Sequence, residues 1–219
     1  MLRVRALDYV PSSRGSRVEI VVSWASMSDL ALSITLGIAL AAATGFRVFL
    51  PMLIVSGAAY AGYLQLDTSF AWLGTSSALT MLSVAALAEV LAYYVPVIDN
   101  LLDTLATPAA LIAGTIVSAA VMADVPPMVK WTAAVIAGGG IAGLTQGLTG
   151  ILRAHSTALT GGLGNHVIAT AELGAALLIS LLALIAPAAA IALVILFLLA
   201  AINLLRWLFR RAKSSDSRT

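Results

Sequence analysis

The sequence has no cysteine. That excludes disulfides, thiolate nucleophiles and Cys-ligated metals, and it says nothing about compartment. Histidine is nearly absent too. His155 and His166 stand eleven residues apart, which is no metal-ligand spacing, so neither a metal nor another cofactor is expected. Charge is scarce: 10% of the 219 residues are charged and 61% are apolar, where a soluble domain carries roughly 25% charged residues. The Gly-Lys-Ser/Thr core of a phosphate loop and the Gly-x-Ser-x-Gly of a nucleophile elbow are both missing. Ser156 follows His155 directly, and neighbours in sequence seldom present as nucleophile and base. The pattern argues against an enzyme.

The few charges are unevenly placed. Nine of the twelve basic residues lie in the two tails: Arg3, Arg5, Arg14 and Arg17, then Arg206, Arg210, Arg211, Lys213 and Arg218. The net charge of +2 therefore belongs to the tails, and the expected partner is anionic lipid rather than nucleic acid. Residues 1–28 read as a polar, disordered extension, without the compact apolar core and small-residue cleavage site of a signal peptide. Residues 29–209 read as one transmembrane domain and 210–219 as a basic cytoplasmic tail.

A membrane-crossing helix needs about 20 apolar residues. By that rule the chain is an all-α transmembrane bundle with about six crossings, over 30–62, 76–95, 103–122, 129–152, 166–186 and 188–209. The first is too long for one straight crossing, and Thr44-Gly45 and Pro51 mark a break within it. Basic tails on an even number of crossings put both termini in the cytoplasm.

Two short patterns recur. Gly37-Ile38-Ala39 opens a run to Thr44-Gly45 and Arg47, and Gly140-Ile141-Ala142 opens one to Thr149-Gly150 and Arg153. Ala86-Leu87-Ala88-Glu89 recurs as Ala169-Thr170-Ala171-Glu172. Halves 30–122 and 129–209 then read as an inverted three-plus-three repeat, an architecture that places a transport site at the interface of the halves, near the membrane midplane. Glu89 and Glu172 would be symmetry mates.

Charged residues inside a membrane are costly and usually face protein or water. Arg47, Glu89, Arg153 and Glu172 are the candidates of this kind. Asp99, Asn100, Asp103 and Thr107 form a polar stripe at the start of the third crossing, either a site or a helix-capping network. Arg47 either binds a carboxylate or anionic solute, or reaches to the interface. Gln146 lies one helix face with Arg153. Gly139, Gly143 and Gly147 recur at intervals of four and suit close helix packing, within the chain or against a second copy. The run Ser156, Thr157, Thr160, Gly161, Gly162, Gly164 and Asn165 is read as a loop, either an anion-binding one or a flexible one with Asn165 as helix cap.

Three strings together carry a resemblance: Gly37-Ile38-Ala39-Leu40-Ala41-Ala42-Ala43-Thr44-Gly45-Phe46-Arg47-Val48-Phe49-Leu50-Pro51, Val97-Ile98-Asp99-Asn100-Leu101-Leu102-Asp103-Thr104-Leu105-Ala106-Thr107-Pro108, and Ser156-Thr157 through Thr160-Gly161-Gly162-Leu163-Gly164-Asn165. Over roughly residues 30–190 the chain resembles the bacterial membrane proteins of domain-of-unknown-function family 4126. His166 stands where that family has Pro. The resemblance implies the bacterial cytoplasmic membrane and no particular activity. The leading expectation is a small transporter or channel for a small ion or polar solute. A membrane-embedded scaffold is the alternative, and a lipid-active enzyme a more distant third.

Overall fold

A computed structural model describes the backbone of residues 24–94 and 96–216, and the side chains of 29–94, 105–207 and 210. Residues 1–23 of the expected N-terminal extension and 217–219 of the C-terminal tail therefore lie outside the described residues, and the backbone of 210–216 continues the last helix. Among these residues the chain is all helical. The elements run α1 (Trp24–Thr44), α2 (Phe49–Tyr60), a 3-10 helix (Thr68–Gly74), α3 (Ser76–Ala92), α4 (Pro96–Val121), α5 (Pro127–Thr132), a π-helical stretch (Ala133–Gly139), α6 (Gly140–Thr160), α7 (Asn165–Ile185) and α8 (Pro187–Asp216).

Helix α1 is the centre of the bundle. It packs on α4, the π stretch, α7 and α8, and Ala39, Leu40, Ala41, Ala42 and Ala43 are wholly buried. Small side chains explain how so many helices crowd one another. A Cβ on Gly114 of α4 would stand 2.5 Å from Ala142 Cβ of α6 and 3.1 Å from Thr44 Oγ1 of α1. Gly139 and Gly143 are filled from α4, by Thr115 and Leu111, while nothing lies within 4 Å of a Cβ on Gly147.

The break in the first segment falls at residues 45–48. Gly45 is required there by proximity: a Cβ would meet the Ala142 carbonyl oxygen and Thr145 Cβ, both at 2.5 Å. Pro51 sits in the first turn of α2, where its missing N–H would have no intrahelical partner. The other end of α2 leads to a loop anchored by Asp67. Its carboxylate accepts from the backbone N–H of Ser69 at 3.0 Å and from Lys130 Nζ at 2.5 Å.

The expectation of six crossings is overturned. Among the described residues, three helical stretches are long and apolar enough to cross a membrane: Pro127–Thr160, Asn165–Ile185 and Pro187–Trp207. A fourth is reached only if the 3-10 helix and α3, bent by 68° at their junction, count as one broken span. Over the residues whose side chains are described, the other apolar helical stretches are shorter: Asp29–Thr44, Phe49–Tyr60 and Leu105–Val121. At 1.5 Å per residue, a helix the length of α2 reaches only about 18 Å, well short of a core of about 30 Å. Residues 30–62 look like a span because they are apolar. Much of that apolar surface is covered by protein.

The inverted three-plus-three repeat falls with the count. Among the described residues, all three helices that are long and apolar enough to cross lie in the second half. Glu89 and Glu172 are not symmetry mates: one caps a neighbouring helix and the other pairs with arginines. The expected loop at 155–165 is corrected as well. Helix α6 continues through Ser156, Thr157 and Thr160, and only residues 161–164 turn.

Candidate functional site

The tails hold nine of the basic residues, and the other three are Arg47, Lys130 and Arg153. All three are buried, the two arginines to 1% exposure. Lys130 is matched by Asp67 at the edge of the bundle. The arginines meet in its interior.

Arg153 projects from α6 toward Glu172 of α7. Its Nε donates to Glu172 Oε1 at 3.0 Å and its Nη2 donates to Oε2, a two-pronged contact. Such bidentate pairs are the strongest and most directional ion pairs available to a carboxylate. Arg47, in the break after α1, adds its Nη2 at 3.7 Å from the same Oε2 and donates to the Ala169 carbonyl at 2.8 Å. Tyr93, one turn after Glu89 at the end of α3, brings its ring beneath both guanidiniums. The Arg47 Cζ lies 3.8 Å from the ring centroid and the Arg153 Cζ 4.4 Å. A desolvated cation over an aromatic face gains about 2 kcal/mol.

Glu89 completes the group from α3. Its Oε1 accepts from the Val48 N–H at 2.7 Å and its Oε2 from the Phe49 N–H at 3.0 Å. These are N-terminal donors of α2, which no intrahelical carbonyl can reach. The break frees them, and a carboxylate borrowed from another helix answers both. Glu89 also lines a cleft of about 470 Å³ between the start of α2, α3 and α4, whose other walls are mostly Ala, Val, Phe and Leu.

Two arginines and two glutamates balance in charge but not in hydrogen bonds. Among the described residues, nothing accepts a hydrogen bond from the buried Arg47 Nε and Nη1. A guanidinium does not shed its proton, and a buried donor left unmatched costs about 1–3 kcal/mol, more when charged. Among the described residues, Arg47 is therefore short of acceptors.

The remaining sequence candidates are scattered. Gln146 is buried on α6, and its carbonyl accepts from Thr149 Oγ1 at 3.1 Å. Thr107 is exposed on α4. The side chains of Asp99, Asn100 and Asp103 lie outside the described residues, although their backbone forms the first turns of α4. The Ser156 to Asn165 run bonds to itself. Thr160 Oγ1 donates to the Ser156 carbonyl at 2.7 Å and accepts from the Gly164 N–H at 2.9 Å, and Asn165 Nδ2 donates to Thr157 Oγ1 at 2.9 Å. Gly161 and Gly162 take φ of 63° and 91°, the left-handed backbone that lets the turn close. These contacts close the end of α6 and lead into α7. Sequence reasoning missed Tyr93. Its signal was its spacing from Glu89, four residues on and so on the same helix face.

Long apolar helices around a buried ionic centre are the features of a helical membrane protein. The chain belongs to the family of the domain of unknown function DUF4126, whose family model matches residues 34–207. Arg47, Glu89, Tyr93, Arg153 and Glu172 all fall inside that match. No curated protein matches the chain, and no solved structure does.

Proposed function

We propose that the protein is a small transporter or channel of the bacterial cytoplasmic membrane, and that its solute is a small anion drawn to the centre formed by Arg47, Arg153 and Tyr93. The observation that carries this reading is Arg47: a buried cation with two donors for which no acceptor stands among the described residues. Irregular backbone at membrane depth is tolerated beside protein or a water-filled cavity, and Arg47 sits in such a break. An anionic solute would supply the missing acceptors. The basic tails favour a cytoplasmic position for both termini, which fits the count of four crossings and not the count of three.

Purified protein in liposomes tests the reading with a panel of nitrate, chloride, phosphate, potassium and glycerol. Flux of an anion above that of protein-free vesicles is expected. No flux of any member would leave the scaffold alternative in its place. Reporter fusions at the two ends test the orientation, with both expected on the cytoplasmic side.

A further inference from the structure

We propose that the Glu89 carboxylate is a displaceable occupant of an anion-binding position, and that a small planar oxyanion takes its place as Glu89 swings into the cleft carrying a proton. This rests on the anion reading above and adds where the anion sits, what shape it has and what leaves when it binds.

The geometry of the position is that of a receptor. Val48 N–H and Phe49 N–H each address a different oxygen of one carboxylate, at 2.7 and 3.0 Å. Two donors spaced for two oxygens of a planar group suit a monocarboxylate, bicarbonate or nitrate. They open a helix of twelve residues, α2, whose dipole favours negative charge at that end. Arg47 precedes them directly in the chain, with its two unpartnered buried nitrogens. The carboxylate now in place is tethered from another helix, α3.

The cleft gives Glu89 somewhere to go. It has about 470 Å³ of space, with Glu89 on its wall. Among the described residues, the rest of its lining, Ala85, Ala88, Ala106 and Ala109 included, offers no charge to receive a carboxylate. A charged group leaving two backbone donors for apolar surroundings is strongly disfavoured, whereas the neutral acid is not. One proton is therefore taken up for each anion bound. Among the described residues, the charges acting on Glu89 are Arg47 from the break and Glu172 from α7, and Tyr93 stands one turn on along its own helix. Asp99 and Asp103 lie on the first turns of α4, and the ring of His166 packs near Tyr94 at the end of α3.

The test uses the full chain in detergent, with sodium nitrate as the probe and sodium sulfate holding ionic strength. Nitrate keeps its charge throughout, so any pH dependence belongs to the protein. Affinity is read from the shift of the thermal midpoint. Wild type should bind nitrate more tightly at pH 5 than at pH 7.5, with proton uptake in weakly buffered solution. Glu89→Gln should bind at least about tenfold more tightly than wild type at pH 7.5, and should lose most of the pH dependence. His166→Gln should retain it. Glu89→Ala should melt lower and be restored by nitrate, and Arg47→Gln in that background should abolish the response. Equal nitrate affinity in wild type and Glu89→Gln would overturn the proposal, as would unchanged pH dependence. Glu89-dependent binding without flux would sink the transport reading and leave the site. Anion flux indifferent to Glu89 would do the reverse.

Discussion

Arg153 and Glu172 face each other across the turn between α6 and α7, with Arg153 Nε 3.0 Å from Glu172 Oε1. Each stands seven residues from the turn-side end of its own helix. At 1.5 Å per residue, both therefore sit about 10 Å of helix from the turn, at matching height. The hairpin sets the pair in register, and Arg47 is then added to a carboxylate already held in place.

Removing Glu172 should be far worse than removing the pair. Glu172→Gln leaves one arginine without its bidentate partner and another without its nearest charge, and should cost about 3–5 kcal/mol. Replacing Arg153 and Glu172 together by Met and Leu should recover a large part of that loss. Thermal or denaturant unfolding in detergent, arranged as a double-mutant cycle, reads the coupling. Strict additivity of the two single variants would contradict the pairing.

The glycines should divide by what surrounds them. Gly45→Ala and Gly114→Ala drive a methyl into atoms 2.5 Å away and should cost about 1–3 kcal/mol. Gly147→Ala and Gly150→Ala meet nothing within 4 Å in the interior of α6 and should gain up to about 1 kcal/mol through helix propensity. Melting temperatures of the four variants check the split, and uniform behaviour across them would show the close approach of α1, α4 and α6 to be wrong.

At the edge of the bundle, Asp67 should mark an acid limit. The hydrogen bond from Lys130 holds its carboxyl below the usual carboxylate value, against the opposing effect of burial, with help from Ser69. A depressed folded value means that the stabilisation is fully present above the unfolded value of about 4 and is lost as pH falls through the folded one. The wild-type melting temperature should therefore fall below pH 4. Asp67→Asn should be less stable than wild type at pH 7 and show a shallower acid decline. Parallel declines for the two proteins would remove Asp67 from this role.

Much of the centre was legible from the sequence because intramembrane charge is rare. Arg47, Glu89, Arg153 and Glu172 could be picked out singly, and the Thr44-Gly45 break could be placed. That a glutamate meets Arg47 or Arg153 also follows from the cost of leaving a buried charge unpaired, and Glu172 meets both, whereas the capping of α2 by Glu89 did not follow. Tyr93 carries no charge and was passed over, though two guanidiniums need a partner of some kind at that depth. The span count failed for a general reason. Hydropathy registers apolar surface without asking whether lipid or protein covers it, and Ala39 to Ala43 are covered by protein on every side. The Ser156 to Thr160 run misled in the opposite direction. Its hydroxyls suggest a loop, yet a threonine bonding back to the carbonyl four residues earlier sits comfortably in a helix, as Thr160 does on Ser156.

The central claim is that the unmatched donors of Arg47 serve a small anion crossing the membrane, and nitrate uptake into proteoliposomes tests it most directly. Nitrate does not leak across a bare bilayer as a neutral acid, so protein-dependent flux stands out. Wild type and Gly147→Ala should both carry it above protein-free vesicles, while Arg47→Gln, reconstituted at equal density and eluting as a folded species, should fall to the protein-free level. Nitrate flux through Arg47→Gln equal to that of wild type, or none through wild type, would contradict the account.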